Sequence, residues 1–166
     1  DPYVTIVDNT ENYGTVPAHQ SVTVNQGFQV QVASNIPNGY TANVQATATN
    51  GIDTWVSNFA LICFAPQLSA TTLVIDDSQN GNNNGRLDAG ETADVIISNC
   101  NSGGATALNV IGTMLAVCNW VTVNTGTYTI GDIAPLSAPT AVFNITVNPN
   151  TPAGLQIPLQ YAVTAG

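Results

Sequence analysis

The chain has 166 residues, of which 44% are hydrophobic and only 7% are charged, whereas about a quarter of the residues of a typical globular protein are charged. Ten acidic residues stand against one basic residue, Arg86, and the formal net charge is −9. This composition excludes a basic surface for nucleic acid or anionic membranes, and no apolar run approaches the length of a membrane-spanning helix, so neither partner is expected.

Short segments rich in Val, Thr and Ile, separated by turn residues, recur along the whole chain and predict an all-β protein. In two of them large apolar residues alternate with polar ones: Phe28, Val30 and Val32, and again Phe143, Ile145 and Val147. Such alternation is typical of sandwich strands with one face in a core and the other in water. The predicted strands are residues 3–7, 20–24, 27–34, 40–49, 54–63, 68–75, 92–99, 106–116, 120–123, 141–148 and 155–164.

Residues 80–91 have the ligand spacing of the calcium-binding loop that is 12 residues long in helix-loop-helix proteins. Gly85 stands where that loop turns sharply, and the carbonyl of Arg86 would be a further ligand. Carboxylate and amide oxygens suit a hard cation, so calcium is the favoured ion. The side chains at ligand positions are Asn80, Asn82, Asn84, Asp88 and Glu91.

Three of these ligand positions carry amides instead of acids, which predicts weaker binding unless Asp77 folds back to supply a carboxylate. The alternative is a polar turn rich in Asn and Gly that binds nothing. The flanking segments 68–75 and 92–98 read as strands and not as helices. A bound ion would therefore clamp a strand connection and would not work as a sensor switch.

Cys63, Cys100 and Cys118 are the three cysteines of the chain. If the strands on either side of the loop pair antiparallel, Cys63 and Cys100 fall near the same end of the sheet. A Cys63–Cys100 disulfide, with Cys118 left over, is the preferred prediction. Three simple buried thiols are the alternative.

An internal repeat relates the two ends of the chain. Residues 28–39 align with residues 143–154 at an offset of 115 (143 − 28), and residues 4–6 align with residues 121–123 at an offset of 117 (121 − 4). The period is close to the size of an immunoglobulin domain.

We predict tandem immunoglobulin-like β-sandwich modules, a complete one at 64–166 and a partial one at 1–63 that has only the later strands. A half-sandwich exposes an apolar face, so we expect either a longer tandem array or completion by strands of neighbouring subunits.

The chain resembles calcium-binding, immunoglobulin-like repeat modules of secreted and cell-surface bacterial proteins, notably of Bacteroidetes, including accessory modules of gingipain-like peptidases. The residues that carry the resemblance are Ala65-Pro66, Ile75-Asp-Asp77, the segment Asn82-Asn-Asn-Gly-Arg-Leu-Asp-Ala-Gly-Glu-Thr92, and Asn101-Ser-Gly-Gly-Ala-Thr-Ala-Leu-Asn-Val110. The family commonly has Pro where this chain has Ala89. The resemblance implies adhesion, spacing or surface-filament roles and names no ligand.

Enzymatic activity is not expected, because the single histidine, His19, lies in a predicted turn without a nucleophile motif. Asp88 and Glu91 are better explained as metal ligands than as a glycosidase acid pair.

Neutral polar surface residues and a weakly charged calcium loop favour an extracellular or cell-surface location. The function expected from the sequence is a non-enzymatic structural or adhesive module of a calcium-stabilised filament or tandem array. Its expected partners are identical or similar subunits, and surface glycans or host proteins are further candidates. The alternative is a carbohydrate-binding or spacer module attached to a secreted peptidase or other hydrolase.

Overall fold

The computed structural model describes residues 1–166 and contains β-strands but no helix, which confirms the all-β prediction. Accordingly, it has no helix long and apolar enough to span a membrane. The strands are β1 (Val4–Asp8), β2 (Gln29–Val32), β3 (Tyr40–Thr49), β4 (Thr54–Cys63), β5 (Leu68–Asp76), β6 (Thr92–Asn101), β7 (Ala107–Ala116), β8 (Val121–Val123), β9 (Thr127–Ile133), β10 (Thr140–Val147) and β11 (Leu159–Thr164).

The chain divides into two compact units, and the first of them, Asp1–Ala65, has very little core. It consists of two separate antiparallel pairs, β1 with β2 and β3 with β4. Only Val4, Ile36 and Ala42 form its buried apolar cluster. The ring of Tyr3 packs edge to face against that of Tyr40, with centroids 4.9 Å apart.

The second unit, Pro66–Gly166, has two antiparallel sheets, β5-β6-β10-β8 and β11-β7-β9. Every second residue of β6 is buried and every second residue of β10 is buried, so one face of each strand lies in the core. Phe143 is fully buried there and contacts the rings of Tyr128 and Tyr161 edge to face. Two sheets around one such core are compatible with a β-sandwich.

Asn101, the last residue of β6, is a fully buried polar side chain whose hydrogen bonds are complete. Its Oδ1 accepts the backbone N–H groups of Gln67 and Gly103 at 3.0 Å, and its Nδ2 donates to the carbonyls of Ala105 and Ile133 at 2.9 Å. A single amide thus satisfies four backbone groups and holds the β6–β7 connection against the segment before β5 and the end of β9.

Some predicted elements differ from the structure. Residues 20–24 alternate like a strand but form none, because an apolar alternation without a partner strand gains no ladder hydrogen bonds. Strand β9 was not predicted, since Gly131 and Asp132 interrupt its apolar pattern. Strand β11 begins at Leu159 and not at residue 155, as Pro158 cannot donate to a ladder.

The predicted Cys63–Cys100 disulfide is wrong, because all three cysteines are free thiols. The premise is correct, in that β5 and β6 pair antiparallel and place Cys100 opposite Ser69. Cys63, however, ends β4 in the first unit, where it lies opposite Tyr40. Cys63 is only five residues before β5 in the sequence (68 − 63), but this closeness does not reveal that the two belong to different sheets.

Candidate metal centre

The connection between β5 and β6 folds around the carboxylate of Asp77, which follows directly after β5. Asp77 is only 1% exposed. Its Oδ2 accepts the backbone N–H of Asn84 and its Oδ1 accepts that of Gly85, both at 3.0 Å. A buried carboxylate needs such donors, so Asp77 stabilises the fold of the loop from its buried side.

Glycine is required at two places in this loop. A Cβ on Gly81 would lie 2.7 Å from the Cβ of Asp77 and 2.7 Å from its carbonyl oxygen, which is closer than real contacts allow. Gly85 has φ +72°, a left-handed conformation that side chains disfavour. Ligand spacing predicts the need for Gly85 but not for Gly81, because a close approach to Asp77 has no signature in that spacing.

Two of the predicted side-chain ligands, Asn82 and Asn84, meet at a third, Asp88. Its Oδ2 accepts hydrogen bonds from the Nδ2 atoms of Asn82 and Asn84, each 2.8 Å long. These bonds, first the one from Asn82 and then the one from Asn84, hold the pKa of Asp88 below its ordinary value. Rotating either amide by half a turn would direct its oxygen, instead of its nitrogen, towards the same place.

Glu91 bonds to two parts of the loop through its side chain and to strand β10 through its backbone. Its Oε1 accepts the N–H of Asn82 at 3.0 Å, and its Oε2 accepts the N–H of Asp88 at 3.1 Å. Its carbonyl accepts the N–H of Val147 at 2.8 Å, at the end of β10. The last predicted ligand is therefore fixed by the sheet.

Two predicted ligands stand apart from this network. The exposed side chain of Asn80 makes none of these hydrogen bonds. Arg86 is also exposed, and its backbone N–H donates to Oδ1 of Asn84 at 2.8 Å. Asp76, one residue before Asp77, is engaged instead with Ser78, whose hydroxyl and N–H hold the pKa of Asp76 below its ordinary value.

The donor set fits a hard cation better than any softer metal. Three carboxylates, Asp77, Asp88 and Glu91, and two amides lie in one loop without sulfur or imidazole. The acidic side chains are not gathered into one ready-made cluster, since each carboxylate is engaged with a different set of loop N–H donors. The convergence of Asn82 and Asn84 on Asp88 is the part of the arrangement that oxygen coordination would use most directly.

The other residues singled out in the sequence show no comparable convergence. His19 is exposed and has φ +60°, in a turn closed by the N–H of Gln20 and the carbonyl of Pro17. The aromatic rings do not form one exposed row, because Tyr128 and Tyr161 pack on Phe143 and Tyr3 packs on Tyr40.

The first unit contains an open apolar groove of about 570 Å³ between its two strand pairs. Phe28, the residue before β2, is 54% exposed, whereas its repeat equivalent, Phe143, is fully buried. Phe143 packs in a cluster with Val95 of β6 and Met114 of β7, and the first unit has no counterpart of those strands. Large apolar residues that line the groove include Ile6, Phe28, Val30, Val44, Phe59 and Leu61.

Comparison with known proteins identified no matching family model, characterised protein or solved structure.

Proposed function

We propose that this protein is a non-enzymatic, extracellular structural or adhesive module of a calcium-stabilised surface filament or tandem array. Its two units are interpreted as tandem immunoglobulin-like modules, a complete one and a partial one completed by neighbouring strands. Identical or similar subunits are its main partners, and surface glycans or host proteins are further candidates.

The exposed groove of the first unit is the observation that carries this proposal. Phe28 is half exposed where its repeat equivalent is buried, and burying such a side chain is worth about 1.5–3 kcal/mol. The neighbouring side chains Trp55 and Phe59 are also more than half exposed. An exposed apolar surface of this kind is typical of a contact with a further polypeptide segment, and it supports assembly in an array.

Calcium would act on the loop between β5 and β6. Asp77, Asp88 and Glu91 would hold the ion together with the amide oxygens of Asn82 and Asn84. The carbonyl of Arg86 and the side chain of Asn80 would be the remaining ligands. The bound ion would neutralise clustered carboxylates and remove bending freedom from the loop.

Electron microscopy of the native material, with and without a calcium chelator, tests the proposal. We expect regular filaments that soften or come apart when calcium is removed. Discrete monomers that are indifferent to chelation would contradict both the assembly and the metal dependence.

The substitution Asp88→Asn tests the calcium site separately. It keeps the shape of the side chain but removes one carboxylate, so we expect it to abolish most of the rise in Tm that calcium produces in the parent chain. The measurement is thermal unfolding with calcium and with chelator.

Asp132→Asn, a change of the same charge on β9, is the matched control and should keep the full calcium effect. Equal calcium effects in the parent chain and in Asp88→Asn would argue against ligation by Asp88.

A carbohydrate-binding or spacer module attached to a secreted hydrolase is the alternative function. Trp55 and Phe59 favour it to a degree, since both are exposed on one face of β4. The packing of most other aromatic rings against one another gives it less support than the groove gives to assembly.

A further inference from the structure

Four asparagines of the chain directly precede a glycine, the neighbour that most favours loss of the asparagine amide. They are Asn38, Asn50, Asn80 and Asn84. A glycine has no side chain to keep its backbone nitrogen away from the asparagine before it. The reaction also needs the asparagine side chain and the glycine N–H to be free of other bonds, so the structure determines which of the four can react.

The pair Asn84-Gly85 is held at both reactive groups. The N–H of Gly85 donates to the buried carboxylate of Asp77 at 3.0 Å. The Oδ1 of Asn84 accepts the N–H of Arg86 at 2.8 Å, and its Nδ2 donates to Asp88 at 2.8 Å. These bonds must open before the Gly85 nitrogen can attack the side chain, so Asn84 is protected.

The pair Asn38-Gly39 in the first unit is held in a similar way. The N–H of Gly39 donates to the carbonyl of Cys63 at 3.0 Å. The Oδ1 of Asn38 accepts the N–H of Ala65 at 3.2 Å. Both reactive groups are therefore engaged.

The pair Asn50-Gly51, in the turn between β3 and β4, is also restrained. The N–H of Gly51 donates to Oγ1 of Thr49 at 3.0 Å. The Oδ1 of Asn50 accepts the N–H groups of Ile52 at 2.9 Å and Asp53 at 2.7 Å. This exposed turn is held by its own hydrogen bonds.

The pair Asn80-Gly81 lacks these restraints. Both residues are exposed. Neither the side chain of Asn80 nor the N–H of Gly81 makes a hydrogen bond of ordinary geometry. Glycine is required at residue 81 because a Cβ there would lie 2.7 Å from the Cβ of Asp77. The packing against Asp77 thus requires, after Asn80, the very residue that favours loss of its amide.

We propose that Asn80 is a site of spontaneous deamidation, and that its aspartate product supplies a carboxylate at the first position of the calcium loop. The consequence for calcium rests on the proposed function. The site of modification does not depend on it.

The reaction consumes one water molecule and needs no other reactant. The backbone nitrogen of Gly81 forms a bond to Cγ of Asn80, the Cγ–Nδ2 bond breaks, and Nδ2 leaves as ammonia with the proton of the backbone N–H. Water then opens the cyclic imide to aspartate or to its β-linked isomer. The isomer adds a carbon to the backbone beside Gly81, where packing against Asp77 leaves little room, so the fold favours the aspartate product.

The new carboxylate adds one negative charge to a loop that has amides at three of its predicted ligand positions. Calcium affinity rises with the number of charged ligands. Deamidation of Asn80 would therefore tighten calcium binding as the protein ages, without any change in the other ligands.

Peptide mapping by mass spectrometry tests the site on the full chain, incubated with chelator at mildly alkaline pH. We expect Asn80 to deamidate at least about tenfold faster than Asn38, Asn50 or Asn84, because at those sites two or more hydrogen bonds must open. The chain denatured in urea is the matched control, and there the four rates should become similar.

Two results would overturn the assignment of the site. One is a folded chain in which another of the four asparagines reacts as fast as Asn80. The other is an Asn80 rate that folding lowers as much as it lowers the rates of the other three.

Asn80→Asp tests the consequence for calcium, with thermal unfolding in calcium and in chelator as the measurement. If the added charge tightens binding about fivefold, the rise in Tm with calcium should exceed that of the parent chain by about 2–4 °C. Asn83→Asp is the matched control, because it adds the same charge at an exposed loop position that carries no predicted ligand.

Equal gains in Asn80→Asp and Asn83→Asp would overturn the role of the new carboxylate, as would a mapped product that is entirely the β-linked isomer. A parent chain and variants that are all indifferent to calcium would instead contradict the proposed function, and the site of deamidation found by mapping would stand.

Discussion

At the scale of single residues, Asn101 should be the most sensitive polar position outside the loop. Asn101→Ala removes hydrogen bonds from four backbone groups that stay buried or half-buried, and each orphaned group costs about 1–3 kcal/mol. We expect a loss of about 3 kcal/mol or more in the free energy of unfolding, measured by urea denaturation. The control Asn150→Ala, at an exposed position, should change stability by less than about 0.5 kcal/mol. Similar losses in the two variants would contradict the role assigned to Asn101.

Gly81→Ala tests the steric packing of the loop against Asp77. The added Cβ would force the backbone away from Asp77, so we expect a loss of about 1–3 kcal/mol and a smaller stabilisation by calcium. Thermal unfolding with and without calcium measures both effects. Gly166→Ala is the control, because a Cβ there meets nothing within 4 Å. Unchanged stability in Gly81→Ala would show that the loop has room to move.

At the scale of strands, the repeat provides a matched pair of substitutions. Phe143→Ala leaves a cavity in the core of the second unit and should cost about 3–5 kcal/mol. Phe28→Ala changes the equivalent residue, which directly precedes β2 and is half exposed, and should cost less than about 1 kcal/mol in the isolated chain. Urea unfolding of the isolated chain measures both, and electron microscopy shows whether Phe28→Ala prevents assembly. Equal losses in the isolated chain would mean that the groove of the first unit is already closed.

The strands that the sequence predicted well are those with a strict apolar alternation and a partner of similar length. Strand β10, with Phe143, Ile145 and Val147, is the clearest example. The failures have the opposite character: residues 20–24 have the alternation but no partner, and β9 has a partner, β7, but a broken alternation. Pairing is a property of two segments, so a pattern read along one segment does not determine it.

At the scale of the whole molecule, the all-β class and the antiparallel pairing across the loop were predictable, because both follow from local composition and period. In the candidate metal centre, ligand spacing selected Asn82, Asn84 and Asp88, and the two asparagines donate hydrogen bonds to Asp88 through their amide nitrogens; ligation of an ion by these residues stays a prediction. Ligand spacing did not predict that Asp77 is buried or that Gly81 must pack against it. Those two features depend on how the loop folds in three dimensions, as does the position of Cys63 in a sheet separate from that of Cys100.

The single basic residue of the chain lies in the candidate metal loop, so the rigidity of this loop bears on how the chain resists digestion. Trypsin cleaves after Lys or Arg, and Arg86 is the only such residue. It is exposed, midway between Asn84 and Asp88. Whether the protein survives a trypsin-like protease therefore depends on how rigidly this one loop is held, and a bound ion that holds it would protect all 166 residues from being cut into residues 1–86 and 87–166.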